Sequence, residues 1–125
     1  MKKIAESELI LREDGAVYHL NLKPDEIADN IILVGDPGRV ELISSMFDKV
    51  IVKKQNREIC TRTGTYKGKK ISVISTGMGP DNIDIVINEL DALANIDLKK
   101  RTPKKEHRTL NLVRIGTSGG IQKSI

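Results

Sequence analysis

The feature that most constrains this chain is a fully apolar tetrapeptide that runs straight into a glycine turn and then into helical spacing. Ile31-Ile32-Leu33-Val34 is β-branched at all but one place and carries no polar alternation. Such a run reads as a strand covered on both faces, the pattern of a parallel strand in an α/β sheet. Gly35-Asp36-Pro37-Gly38 stops it, and Val40, Ile43, Met46 and Phe47 then share one face of a helix predicted over 39–47. Strand, glycine loop and helix form the unit that organises the rest.

Further elements follow from the same reasoning. Ala16-Val17-Tyr18-His19-Leu20 reads as a short strand after an Asp14-Gly15 turn, and Lys23-Pro24-Asp25 as a turn or one helical turn. Val50-Ile51-Val52 is another short strand. Segments 57–66 and 70–75 flank Lys67-Gly68-Lys69 as the arms of a hairpin, and the second arm is apolar enough to be central. After Thr76-Gly77-Met78-Gly79-Pro80, Asp81 is placed to cap a helix through Asn95. In that helix Ile83, Val86, Ile87, Leu90, Leu93 and Ala94 make a stripe at i, i+3, i+4 spacing. The lysine-rich run 99–108 reads as a solvated surface loop. Residues 110–115 are again strand-like and lead into Gly116-Thr117-Ser118-Gly119-Gly120.

Composition removes several function classes. With 38% hydrophobic residues and 10 glycines in 125, the chain has the make-up of a soluble globular domain rather than a disordered one. No stretch approaches the roughly 18 apolar residues of a membrane span, and the basic start lacks the apolar core of a secretory signal. The single Cys60 has no intrachain disulfide partner, which fits a reducing cytoplasm. Cys60, His19 and His107 match no zinc spacing. The formal charge of +4 suggests an anionic partner, but Tyr18, Phe47 and Tyr66 are the only aromatics, too few for base stacking. Nucleic acid is therefore not expected. A small anion stays open.

Two loops share a design suited to such an anion. Each follows a buried-looking strand, holds closely spaced glycines and carries an arginine: Arg39 after Gly35-Asp36-Pro37-Gly38, and Arg114 before Gly116-Thr117-Ser118-Gly119-Gly120. Glycine lets backbone N–H groups converge on an oxyanion. A helix start adds partial positive charge, and arginine supplies a forked cationic donor. In an open α/β sheet, loops at the carboxyl ends of strands are where ligands sit. Taken singly, each loop reads equally as an ordinary turn. Neither is a Walker motif or a dinucleotide fingerprint, since the lysine and spacings are missing.

Four segments in one order then carry a resemblance: Val34-Gly35-Asp36-Pro37-Gly38-Arg39-Val40, Asn56-Arg57-Glu58, Ser75-Thr76-Gly77-Met78-Gly79 and Val113-Arg114-Ile115-Gly116-Thr117-Ser118-Gly119. Together they resemble the N-terminal half of the nucleoside phosphorylase family, most closely its uridine phosphorylase branch. The resemblance implies an α/β fold with a mixed central β-sheet flanked by helices, residues 1–125 being the N-terminal part of one such domain, truncated and inactive alone. It implies phosphorolysis of a nucleoside: uridine and phosphate give uracil and ribose 1-phosphate, with no resident cofactor.

By the same resemblance Gly35, Arg39, Arg114 and Thr117 bind phosphate, and Arg57 completes the site of a neighbouring subunit. His19 reaches across a dimer to the ribose 5′-hydroxyl, while Thr117, Ser118 and Gly119 border the nucleoside. Glu58 matches a carboxylate that binds a monovalent cation, potassium, between subunits. The implied partners are nucleoside, phosphate and further copies of the chain, as a dimer or a hexamer of dimers with shared sites. Two alternatives stay open. One is a purine-nucleoside phosphorylase or nucleosidase of the same superfamily; the other is a non-catalytic anion-binding or oligomerising module.

Overall fold

The computed structural model describes residues 3–5, 9–77 and 80–116, Pro80 by its backbone. Along the chain, a 3-10 turn at Pro24–Glu26 precedes β1 (Asn30–Val34) and α1 (Pro37–Ser44). Then come β2 (Lys49–Asn56), β3 (Ile59–Tyr66), β4 (Lys69–Ser75) and α2 (Pro80–Asn95). A two-residue hairpin, β5 (Ile96–Asp97) and β6 (Thr102–Pro103), leads to β7 (Asn111–Arg114). Five strands form one mixed sheet in the order β2-β3-β4-β1-β7, and β5-β6 stands apart. β1 is parallel to both β4 and β7, whereas β2, β3 and β4 form an antiparallel meander. The mixed sheet flanked by helices is the architecture that the resemblance implied.

The apolar run explains the layers. Ile31 and Leu33 pack in a cluster with Val86, Leu90 and Leu93 of α2, while Ile32 and Val34 belong to the cluster around Val40 of α1. β4 divides in the same way, with Ile74 on the α2 side and Val73 on the α1 side. Successive strand side chains point to opposite faces, so a strand apolar at every position serves a helix on each side. Each fully buried aliphatic side chain contributes about 1.5–3 kcal/mol by leaving water. The β3-β4 hairpin closes through Lys67 and Gly68, both at positive φ (50° and 80°), as a two-residue turn between right-twisted strands requires.

Several local expectations are corrected. Residues 16–20 are not a strand: only Val17 makes a bridge, to Leu11, and residues 18–20 turn. The N–H of Asn21 donates to the Val17 carbonyl and that of Val17 to the Leu22 carbonyl, so the chain folds back with Val17, Leu20 and Leu22 all buried. α1 starts at Pro37 and ends at Ser44, short of the predicted 47. The Ser44 and Ser45 hydroxyls donate to the Glu41 and Leu42 carbonyls, and i→i+3 bonds tighten the exit, leaving Met46 exposed. Asp81 lies inside the first turn of α2 rather than capping it, because a proline opens the helix one residue earlier. On the α2 stripe, Ile87 is exposed and Ile83 half-buried. Arg57, placed in a hairpin arm from sequence, sits at φ 55° in the β2–β3 turn.

The basic run 99–108 is more than a wet loop. Its lysines are largely exposed, but its two arginines hold distant parts of the chain. Arg101 donates to the carbonyls of Ile4, Ala5 and Leu9. Arg108 pairs with Asp29 and donates to the carbonyls of Pro24 (2.9 Å) and Ile27 (2.7 Å). This ties the approach to β7 against the approach to β1. Elsewhere the Ala16 N–H bonded to Asp14 holds that exposed carboxyl below its usual range. That contact favours the fold above the ordinary carboxylate pKa and fades as pH falls through the lowered value.

Because Arg108 serves two carbonyls and a carboxylate, Arg108→Ala should lower the unfolding free energy by about 2 kcal/mol. Lys105→Ala, at an exposed position of the same run, should change it by under about 0.5 kcal/mol. Urea titrations of the two variants distinguish a clamp from a solvated loop.

Candidate anion and nucleoside site

Parallel pairing decides where the motifs meet. Val34 stands opposite Ser75, and Leu33 opposite Arg114, so β4, β1 and β7 end on the same edge of the sheet. Backbone bonds continue the register past the strands: the Thr76 N–H donates to the Val34 carbonyl (2.8 Å), that of Gly77 to Gly35 (3.0 Å) and that of Ile115 to Leu33 (2.9 Å). Strands lie about 4.8 Å apart, so the described residues just after β4 and just after β7 each lie beside those that follow β1. β3 runs antiparallel to β4, which brings its first residues, and the Arg57-Glu58 turn before them, to the same edge. The described parts of all four motifs thus converge at the carboxyl ends of the parallel strands.

Within the first loop the N-terminus of α1 is already served. The Asp36 side chain caps it by accepting from the Gly38 N–H at 2.9 Å, with Pro37 as first helical residue. The sequence expectation that this helix start lends its charge to an anion is thereby weakened. What the loop offers instead is Gly35 and the half-buried Arg39. Arg39, Arg57 and Arg114 make no ion pair and no side-chain hydrogen bond among the described residues. The other arginines are engaged: Arg12 with the Tyr18 carbonyl, Arg62 with Cys60 and Glu41, and Arg101 and Arg108 as described. The three partnerless guanidiniums lie in the three motifs grouped at this edge.

Behind them the edge is tightly tied. The Ser75 hydroxyl donates to the Glu58 carbonyl (2.7 Å) and accepts from the Cys60 N–H (2.7 Å). Asn82, on the first turn of α2, donates to Glu58 Oε1 at 3.1 Å. Gly77 sits at φ 73°, and a Cβ there would come within 2.6 Å of Glu58 Cγ. Asn56 Nδ2 donates to the His19 carbonyl at 2.9 Å, so the His19 turn is fastened to the same hairpin. The His19 ring places Nδ1 at hydrogen-bond distance from Glu89 Oε2, 2.8 Å. Among the described residues no cluster of three or more His, Cys, Asp or Glu side chains could hold a metal. Cys60 is a buried strand residue, as expected.

Of the residues singled out from sequence, Gly35, Arg39, Arg57, Glu58, His19 and Arg114 all lie at or next to this edge. Thr117, Ser118 and Gly119 lie outside the described residues. Sequence reasoning missed Glu89, Asn56 and Asn82. Asn56 stood unassigned inside a quoted motif. Glu89 had a legible signal, as an acid three residues after Val86 on the apolar stripe.

The chain is thus an α/β protein whose mixed sheet gathers glycine turns and partnerless arginines at the carboxyl edge of its parallel strands. The chain belongs to the Phosphorylase superfamily, whose family model matches residues 29–125. A purine nucleoside phosphorylase DeoD-type from Listeria welshimeri is 42% identical over 108 residues, covering 86% of this chain and 41% of that one. A uridine phosphorylase from Thermococcus kodakarensis is 36% identical over 125 residues, covering 100% of this chain and 40% of that one. The crystal structure of a Trypanosoma brucei nucleoside phosphorylase, described as showing uridine phosphorylase activity, superposes with a TM-score of 0.82. It is 42% identical and covers 94% of this chain and 41% of that one. The chain spans about 40% of the length of the curated relatives it matches. Relatives of both uridine and purine type fall at similar identity, so the family is fixed and the uridine branch is not singled out. No helix among the described residues is long and apolar enough to cross a membrane.

Replacing Gly77 tests how closely the edge is built. Gly77→Ala forces a positive φ on a residue with a Cβ and pushes against Glu58. Chemical denaturation should record a loss of about 1–3 kcal/mol, with the Asn82–Glu58 contact broken in the variant's structure.

Proposed function

We propose that these residues supply the phosphate site of a nucleoside phosphorylase acting on uridine. The observation that carries this reading is the set of three unpaired arginines grouped with the glycine turns at one sheet edge. A half-buried guanidinium such as Arg39 is normally satisfied within its own protein; left without a partner in the first turn of α1, and with the exposed Arg114 at the end of the adjoining strand β7, it makes a ready donor to a dianion. Gly35 adds backbone that a side chain would otherwise screen. Thr117 joins them from the sequence motif, and Arg57 acts in the site of a second copy.

The chemistry asked of the site is modest. Cleavage of the glycosidic bond passes through an oxocarbenium-like sugar, and a phosphate fixed beneath the ring stabilises that charge before its oxygen bonds to the anomeric carbon. The C–N bond breaks, the electron pair leaves with the base, and ribose 1-phosphate forms. The protein contributes position and a preorganised field rather than a nucleophile of its own. His19 of a neighbouring subunit meets the ribose 5′-hydroxyl, and Ser118 and Gly119 border the nucleoside. A monovalent cation, potassium, belongs to the same reading at Glu58. Among the described residues one chain offers Glu58 there without a cluster of further ligands, which fits such an ion only when a second copy adds its own carboxylate. The assembly is then a cytoplasmic homo-oligomer with shared sites.

Uridine is favoured by the Trypanosoma brucei relative, which matches at 42% identity over 94% of the chain. Purine nucleosides are the second reading, favoured by the 42% identity to the Listeria welshimeri enzyme. Rates with uridine and with inosine distinguish them.

For the protein carrying these residues, Arg114→Ala should raise the phosphate KM at least about tenfold, the loss of one charge-assisted contact. Lys at that position should recover part of it. Initial rates across a phosphate titration decide the matter: an unchanged phosphate dependence removes Arg114 from the site, and cleavage without phosphate makes the protein a nucleosidase.

A further inference from the structure

The acid that sequence reasoning overlooked carries a role of its own. Glu89 stands on the buried stripe of α2, beside Leu90 and three residues after Val86, and is only 9% exposed. An acid there is costly to bury unless its oxygens are met. They are met almost entirely by one turn. Oε1 accepts from the N–H of Leu20 at 2.8 Å and of His19 at 3.0 Å, and Oε2 accepts from His19 Nδ1 at 2.8 Å and, at 3.1 Å, shares the His19 N–H. The other end of the same residue is held by Asn56, which donates to the His19 carbonyl. The Tyr18 ring packs edge-on against the imidazole, centroids 5.1 Å apart, and is itself covered by the Arg12 guanidinium.

Holding the turn alone would need only one acceptor oxygen for two N–H groups, a task an amide could perform. The second oxygen is directed at the ring. With both oxygens accepting, the ring nitrogen facing Glu89 is the one that carries hydrogen, and Nε2 is left with a lone pair. The ring is partly exposed and borders a pocket of about 180 Å³, shared with Asp84, Asn88, Leu9 and Ile10. We infer that Glu89 is a positioning residue, which fixes His19 as the Nδ1–H tautomer so that Nε2 accepts a hydrogen bond from a ligand hydroxyl. This rests on the proposed reading of His19 as the ribose contact and deepens it. The site would then prefer a nucleoside whose 5′ position donates, over 5′-deoxy analogues.

Glu89→Gln is the discriminating variant, because it is nearly isosteric. Its amide oxygen keeps the two backbone N–H groups, while its NH₂ replaces Oε2 and donates to Nδ1. The tautomer should therefore invert, with hydrogen on Nε2. 15N NMR of the two imidazole nitrogens reads this directly: a pyrrole-like Nδ1 and pyridine-like Nε2 in the parent, exchanged in the variant. In phosphorolysis assays the preference for uridine over 5′-deoxyuridine should fall about tenfold, the worth of one hydrogen bond, with the phosphate KM unchanged. A purely structural Glu89 would alter stability and leave tautomer and preference alone. An unchanged tautomer in the variant, or a parent with hydrogen on Nε2, overturns the inference. Inversion with an unchanged 5′ preference overturns the ribose reading of His19 instead. Should Glu89→Gln not fold, the parent's own spectrum still decides the tautomer, and His19→Gln tests the 5′ preference.

Discussion

Parallel pairing on both sides of β1 is the constraint on which everything else depends. A parallel strand cannot be reached by a tight turn, so each connection to β1 must cross a face of the sheet. One consequence is that α1 and α2 are drawn over opposite faces, which an apolar strand without alternation then satisfies. Another is that three strands end together. Arg39, Gly77 and Arg114 are separated by tens of residues in the chain, yet the register leaves their loops side by side. The antiparallel meander adds the Arg57-Glu58 turn to the same edge from the other direction. Nothing about any single loop would have achieved that grouping.

The division of labour among the arginines follows from where they sit relative to this edge. Arg101 and Arg108 face backbone carbonyls at segment ends that have no ladder partner, and they substitute for one. Arg62 is buried against the α1 face, its guanidinium on Cys60 and Glu41. Those at the carboxyl edge have no such duty. The arginines therefore divide into a structural set and a reserve at the carboxyl edge. Asp36 moderates that reserve, since its carboxylate caps α1 within the same turn as Arg39. An anion bound here, as proposed, would meet arginine and glycine more than a helix dipole.

Much of this was legible in the sequence where physics is local. The run from Ile31 to Val34, the Lys67-Gly68 turn and the α2 stripe depend on burial and backbone geometry that the residues themselves announce. The described parts of the four motifs fall together because they lie at strand ends, which the register brings side by side. The misses have non-local causes. Residues 16–20 looked like a strand because Val17 and Leu20 are apolar, but both are buried by a chain reversal rather than a ladder. The serines that end α1 act through hydroxyl bonds to its carbonyls, which periodicity does not register. Arg101 and Arg108 looked solvated because their partners lie about eighty or more positions away. Glu89 was visible as a break in an apolar stripe; what it touches was not.

β7 carries Arg114 to the carboxyl edge of the sheet, paired with β1 among the described residues. Arg39 and Arg114 follow and end neighbouring strands of one sheet, so a ligand gripping both would join segments that only the register brings together. An anion that bridges Arg39 and Arg114 would act as a crosslink between them, adding to the cohesion of the sheet by mass action in proportion to its concentration. Occupancy and local stability then become two views of one equilibrium, and amide exchange along β7 would slow as phosphate is added.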